Sequence, residues 1–306
     1  MHEVYRNQVR LLLRLLPLVA QEKGFALKGG TAINLFDRDF PRLSVDIDLT
    51  YISFDDRATA LASIAEKLAR LKGKIAAAIP GITATRVAQG DGTEAKLHCQ
   101  FQGAQVKVEV NTTMRGHLFT PRAMVCSKKV QQEFEVFVEA SVVSQGELYG
   151  GKICAALDRQ HPRDLFDVHH LLNNDGLTDE IKQAFIAGLL SHPRPIREVL
   201  FPKFRDQRPT FDAQFAGMAF TPFTYEDFEA TRLRLNDAIK SALTEQDKAF
   251  LLSFKDGEPD WTLQAAPDFP RLPAVQWKLS NIRKLKQSNP AKHAAMLDAL
   301  AARLRA

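Results

Sequence analysis

Hydrophobic and polar positions along this chain repeat with two periods, and the mixture of periods changes once. Up to about residue 145, runs of period two are interspersed with runs of period 3.6. "FALKGG" (25–30) reads as a short strand ending in a Gly-Gly turn, and "SVDIDLTYI" (44–52) alternates strictly. "ITATRVA" is strand-like after the Pro80-Gly81 turn. "AKLHCQF" and "QVKVEVN", separated by Gly103, form a hairpin pattern, and "FEVFVEASVVS" is a further strand candidate. Helical spacing appears over residues 4–22, where Pro17 reads as a kink or an early stop. It recurs in "TAINLF", where the Thr31 hydroxyl suits a helix cap, and in "RATALASIAEKLARLKGKIAAAI".

After Gly146 the pattern is helical: "GELYGGKICAALDR", "PRDLFDVHHLLNN", "DEIKQAFIAGLLS" and "TYEDFEATRLRLNDAIKSAL". Residues 255–273, rich in Pro, Asp and Gly, read as a linker, and a final basic helix is expected from about Asn289. The expected class is α+β: a mixed-sheet core over residues 1–145, then a mainly helical domain over 146–306 with a basic C-terminal segment.

Composition narrows the class of protein. The 306 residues are 45% hydrophobic and 25% charged, ordinary for a soluble globular chain. No apolar run reaches the roughly 18 residues a membrane span needs. The Leu-rich N-terminus carries Glu3, Arg10 and Arg14 and lacks the basic start and small-residue cleavage site of a secretory signal. Cys99, Cys126 and Cys154 show no paired spacing, so neither a disulfide framework nor a zinc site is indicated. A cytoplasmic location is expected. Net charge is +5, and from Arg271 to Ala306 eight Lys or Arg face one acid, Asp298. Such a segment fits a polyanion such as RNA, and equally a solvated helix face.

The chemistry lies in the alternating strands. In "SVDIDLTYI", Val45, Ile47 and Leu49 point one way and Asp46, Asp48 and Thr50 the other. Two carboxylates at i and i+2 with no base between them repel unless a cation lies there. Hard oxygen ligands of this kind suit Mg²⁺, held by one or two carboxylates plus substrate phosphates. In "QVKVEVN", Glu109 lies on the polar face, and if that strand neighbours the first it becomes a third ligand for a phosphoryl-type displacement. The same pattern also describes an ordinary amphipathic edge strand. Gly29 and Gly30 would let the backbone approach a triphosphate, with the helix from Thr31 offering its free N–H groups.

"LKGGTAINLF", "PRLSVDIDLTY" and "ELYGGKICAALDRQHPRDLFDVHHLL" together resemble the AbiEii/AbiGii-type nucleotidyltransferase toxin family, within the DNA-polymerase-β-type nucleotidyltransferase superfamily. The resemblance covers roughly residues 20–240 and is loose over 80–145. It implies a cytoplasmic enzyme using Mg²⁺ (or Mn²⁺) and a nucleoside triphosphate, and a toxin of a toxin–antitoxin or phage-defence module. It further implies transfer to an RNA acceptor, the tRNA 3′ end in some members, and a cognate antitoxin encoded alongside. On this resemblance Asp46, Asp48 and Glu109 hold metal, and Lys28, Gly29, Gly30, Thr31 and Ser44 surround the nucleotide. The second glycine stands where the family often has Ser, so phosphate contacts fall to backbone N–H groups and to Thr31 or Ser44.

In the second motif, Tyr149, Ile153, Ala156 and Leu157 share one helix face and Lys152 lies off it, free to reach a polar cleft. Pro162 suits the first turn of the next helix, where Asp164 also favours the helix dipole. By resemblance Lys152 touches phosphates and Asp164 completes the nucleotide pocket, whereas Asp167 reads as structural, pairing with Arg163 or Arg159. Gly150-Gly151 reads as a site of close packing against the first domain. His169 and His170, about 100° apart on a helix, are poorly placed to share an ion. Two alternatives remain: the same chemistry on a small-molecule or protein acceptor, and a non-catalytic nucleotide-binding module of the same fold.

Overall fold

A computed structural model describes residues 3–88 and 94–305. The chain divides into two compact units, Met1–Ser144 with Ala216–Pro222, and Gln145–Phe215 with Phe223–Ala306.

The first unit runs α1 (Glu3–Ala20), β1 (Phe25–Lys28), α2 (Gly29–Ala32), β2 (Ile47–Tyr51), α3 (Arg57–Ala78), β3 (Thr83–Ala88), β4 (Glu94–Phe101), β5 (Ala104–Asn111), β6 (Arg122–Val125), α4 (Lys128–Phe134) and β7 (Glu139–Val142). The strands make one mixed sheet in the order β3-β4-β5-β2-β1-β7-β6. β2 lies parallel to β5 and antiparallel to β1, and β1 is parallel to β7.

Alternation explains which face is buried. Along β5, Val106, Val108 and Val110 are buried while Gln105 and Lys107 are exposed. α1 contacts β5 and β7, α3 contacts β3 and β4, and the two helices touch each other, so both cover that apolar face. Leu12 and Leu16 of α1 and Ile64, Leu68, Leu71 and Ile75 of α3 are wholly or almost wholly buried. Each such side chain contributes about 1.5–3 kcal/mol of burial.

Two readings change here. The segment read as one strand from Phe134 is instead the end of α4, a reversal at Glu135 with φ 52°, and a strand of four residues. Its partner β6 has no alternation of its own. The segment Ala216–Pro222 joins this unit through a bridge between Arg42 and Ala219, and Phe220 packs on Phe40 with ring centroids 5.0 Å apart.

The second unit is helical: α5 (Gln145–Arg159), α6 (Pro162–Asn174), α7 (Asp179–Ser191), α8 (Ile196–Leu200), α9 (Arg208–Gln214), α10 (Tyr225–Ala242), α11 (Glu245–Asp256), α12 (Pro273–Ser288) and α13 (Pro290–Arg305). α5 and α7 approach closely because glycines line the contact. A Cβ on Gly150 would stand 2.6 Å from the Ala184 carbonyl carbon and the Phe185 nitrogen, whereas one on Gly151 meets nothing within 4 Å. Gly150 therefore serves the packing of α5 on α7 inside its own unit.

Residues 255–273 are not a linker either. They hold two 3-10 turns, and Phe269 is fully buried beside Phe250, 5.9 Å between centroids. Nor is the basic C-terminal segment a loose appendage. Val275, Leu279, Leu300 and Leu304 are buried, Lys286 pairs with Asp256 at 3.0 Å, and Arg271 pairs with Asp268 at 2.6 Å. Buried Lys278 donates to the carbonyls of Leu189, His192 and Arg194 at 2.8–2.9 Å, closing the C-terminal end of α7. Deleting this segment would strip core from the second unit, so its charge is better tested by substitution.

Candidate active site

β1 delivers the chain into the Gly-Gly turn, and the glycines are required by what lies beside them. Gly29 has φ +71°, a left-handed conformation that disfavours other residues. A Cβ there would sit 2.7 Å from Asp48 Oδ2, and one on Gly30 would sit 2.9 Å from Arg42 Nη2 and Ser44 Oγ. Space that a serine at position 30 would claim is taken by the Ser44 hydroxyl.

The helix begins at Gly29, two residues before the expected start, with Lys28 at its cap position and no side-chain cap. After four residues it widens into a π-helical turn over Ile33–Asp37. Thr31 is therefore not the cap. It is fully buried, and its hydroxyl donates to the Asp46 carbonyl. With its one hydrogen used, Thr31 accepts from the Ser44 hydroxyl at 3.0 Å. The two hydroxyls fasten the glycine turn to the segment that enters β2.

Strand register builds the rest. Lys28 of β1 is the cross-strand partner of Asp48, Asp48 is the partner of Glu109, and Glu109 is the partner of Lys96 on β4. Register partners share a face, so these four side chains form a row across four strands with two carboxylates at its centre and an ammonium at each end. Lys96 Nζ stands 2.9 Å from Glu109 Oε1, and the Glu109 side chain keeps 39% exposure. Asp46 lies one residue before β2 and is half-buried. Among the described residues no group of three or more His, Cys, Asp or Glu is gathered as for a metal ion. The structure thus brings Asp48 and Glu109 together and leaves Asp46 outside that pair. The paired carboxylates, half-exposed and beside the Cβ-free Gly29, are a hard oxygen donor set that suits a hard divalent cation.

In the second unit, Lys152 is buried on α5, and its Nζ lies 2.9 Å from Asp164 Oδ1 and 3.0 Å from Asp167 Oδ2. Arg159 adds a two-pronged contact, Nη2 to Asp164 Oδ1 at 2.9 Å and Nε to Oδ2 at 2.5 Å. Burial pushes the Asp164 pKa up. The Lys152 ammonium and the Arg159 guanidinium outweigh it and hold the carboxyl far below the ordinary range. Lys152 is therefore pinned by two carboxylates and does not reach freely into a cleft as expected. His161 caps α6 by accepting from the Arg163 N–H, which orients the turn bearing Asp164. His169 faces Thr231 Oγ1 at 3.1 Å and Asn173 Nδ2 at 2.8 Å, so both its ring nitrogens are engaged.

Two groups escaped the sequence reading: buried Arg42 carries a guanidinium to the Gly30 Cα, and Lys96 closes the charge row. Arg159, read from the sequence as a candidate partner of Asp167, grips Asp164.

The first unit thus sets a glycine turn on a mixed sheet against paired strand carboxylates, and the chain continues into a helical unit. The solved structure of MenT4, a nucleotidyltransferase toxin from Mycobacterium tuberculosis H37Rv, shares this fold: TM-score 0.62, 15% identity, 92% of this chain and 95% of that chain covered. The family model described as nucleotidyl transferase AbiEii toxin, type IV TA system, matches residues 10–281, and the chain belongs to that family. No curated protein sequence matches it. It is thus a nucleotidyltransferase toxin of a type IV toxin–antitoxin system, which implies a cognate antitoxin, a nucleoside triphosphate substrate and a divalent metal. Among the described residues no helix is long and apolar enough to cross a membrane.

Proposed function

We propose that this toxin transfers a nucleoside monophosphate from a nucleoside triphosphate to an RNA acceptor, the tRNA 3′ end, in a Mg²⁺-dependent reaction. The observation carrying the reading is the register that sets Asp48 beside Glu109 against the Cβ-free Gly29. Asp48, Glu109 and Asp46 would hold the cation, which when bound neutralises charge on the triphosphate during displacement. The backbone at Gly29 and Gly30 lets phosphates approach, with Lys28 and Arg42 as the nearest cations; Thr31 and Ser44 keep that turn in place. Lys152 and Asp164 are assigned to the nucleotide by family resemblance, and their mutual ion pair orients them.

The test is to incubate the protein with each labelled triphosphate, Mg²⁺ and total RNA. Label entering a tRNA-sized band supports the proposal, and label entering only a small molecule or protein overturns it. A second reading, a non-catalytic nucleotide-binding module, is favoured by one observation. Lys28 and Lys96 already flank the carboxylate pair, so the row is balanced without metal. Triphosphate affinity that rises with Mg²⁺ argues for the enzyme, and affinity indifferent to Mg²⁺ argues for the module.

A further inference from the structure

Outside the groups described so far, the second unit holds a pocket of about 370 Å³ lined by residues of the end of α5, the loop before α8, α8 and the segment after it, among them Asp158, Arg194, Arg197, Lys203 and Arg205. Its charge is not self-cancelling. Both acids are taken by one residue: Arg194 contacts Asp158 at 2.5 Å and Glu198 at 3.2 Å. Arg197, Lys203 and Arg205 are exposed, and their side chains make no ion pair among the described residues.

The segment that displays Lys203 and Arg205 is nevertheless held rigidly from behind. Buried Gln160 donates to the Lys203 carbonyl at 2.8 Å and accepts from the Arg205 N–H at 3.1 Å. Buried Arg232 donates to the Arg205 carbonyl at 2.7 Å and to Gln160 Oε1 at 3.0 Å. Gln160 itself has φ +52°, a conformation a side-chain-bearing residue adopts at a cost of about 1–2 kcal/mol. Strain of that kind persists where the surroundings over-determine it, and it concentrates at functional positions.

The same segment interleaves bases with aromatic rings. In "FPKFRDQR" (201–208), the Arg303 guanidinium lies 4.8 Å from the Phe201 ring and Arg232 lies 4.6 Å from Phe204. Arg208 lies 3.9 Å from Tyr225 of α10. Phe204 remains 41% exposed. A preformed strip of unpaired cations beside an exposed ring is the chemistry that receives single-stranded nucleic acid, cations tracking phosphates and the ring stacking on a base. An acidic protein would use the cations but gain nothing specific from the rings.

We propose that Arg197, Lys203, Arg205 and Phe204 form a landing surface for the phosphodiester backbone and bases of a single-stranded RNA stretch. This deepens the acceptor reading above and rests on it for its biological meaning. The binding itself is tested separately. Full-length protein is titrated against a short fluorescein-labelled single-stranded RNA over a range of KCl concentrations, with triphosphate binding and thermal unfolding measured alongside.

The variant Arg197→Gln/Lys203→Gln/Arg205→Gln should bind RNA on the order of tenfold more weakly at low salt. The magnitude of its salt slope should fall by about 2, at roughly 0.7 for each phosphate no longer neutralised. Triphosphate affinity and unfolding temperature should hold. Phe204→Ser should weaken binding several-fold with the slope unchanged, because stacking releases no counterions. Wild-type affinity in the triple variant, no RNA binding by the wild type, or equal competition by poly-glutamate would each overturn the proposal. If the surface is right and the acceptor reading wrong, the triple variant still shows its deficit while no label enters RNA. If the surface is wrong and the acceptor reading right, label enters RNA equally well in both proteins.

Discussion

Replacing Lys152 by Met isolates the buried ion cluster of the second unit. The Asp164 and Asp167 side chains are 2% and 1% exposed and share the one ammonium, so its removal leaves two desolvated carboxylates. Breaking a buried pair from one side costs about 3–5 kcal/mol. Asp164 keeps its contact with Arg159, which puts the expected loss near the lower end, about 3 kcal/mol. Adding Asp167→Asn removes one stranded charge and should recover about 1–2 kcal/mol. The pH dependence has a definite sign. Asp164 has a folded pKa below its ordinary 3.8, so the wild-type ion pair contributes fully above that value and is lost as pH falls through the depressed one. Without Lys152 the carboxylates protonate more readily, so the gap between variant and wild type should narrow as pH falls from 7 toward 4. Urea unfolding by far-UV circular dichroism at several pH values reads all of this. A loss under about 1 kcal/mol, or a gap constant with pH, would refute the reasoning. If Lys152 also touches phosphate, the double variant will recover stability without recovering transfer.

Three further expectations follow from single sites. Gly150→Ala drives a Cβ to 2.6 Å from the backbone of α7 and should cost about 1–3 kcal/mol in urea unfolding, whereas Gly151→Ala should be neutral or slightly stabilising. His161 is a base whose pKa burial lowers below 6.5, and its Nδ1 must be unprotonated to accept from Arg163 N–H. Its contribution is therefore full above 6.5 and falls as pH drops below that value; His161→Asn should flatten this slope, while His161→Ala should cost about 1 kcal/mol at neutral pH. Gly29→Ala meets Asp48 at 2.7 Å and a φ of +71°, and should cost about 1–2 kcal/mol and weaken the Mg²⁺-dependent part of triphosphate binding, read by calorimetry.

The polar faces that carry Asp48 and Glu109 were legible because β2 and β5 alternate strictly, and the signal that could have found Lys96 is the two-residue hairpin turn at Gly103. That turn alone fixes Lys96 opposite Glu109. Which strands would neighbour each other was not legible, since pairing of β2 with β5 is a long-range choice. Periodicity set Lys152 off the apolar face of α5, yet the structure buries it, because α6 carries Asp164 and Asp167 across to meet it, which periodicity cannot show. α11 and α12 were missed because Lys, Asp and Gln between their apolar positions diluted the stripe that Phe250, Leu251 and Phe254 supply. The return of Ala216–Pro222 to the first unit rests on the bridge to Arg42, for which no local signal exists.

The central claim, that Asp48 serves a metal-dependent transfer and not the fold, is tested by comparing wild type with Asp48→Asn in label transfer and thermal unfolding. Asn keeps the shape beside Gly29 and one carbonyl oxygen but removes a charge from the Asp48–Glu109 pair. Transfer should vanish while the unfolding temperature stays close to that of wild type, because the relieved repulsion from Glu109 offsets the lost attraction to Lys28. Full transfer in the variant, or a large drop in unfolding temperature with transfer reduced only in proportion, would contradict the account.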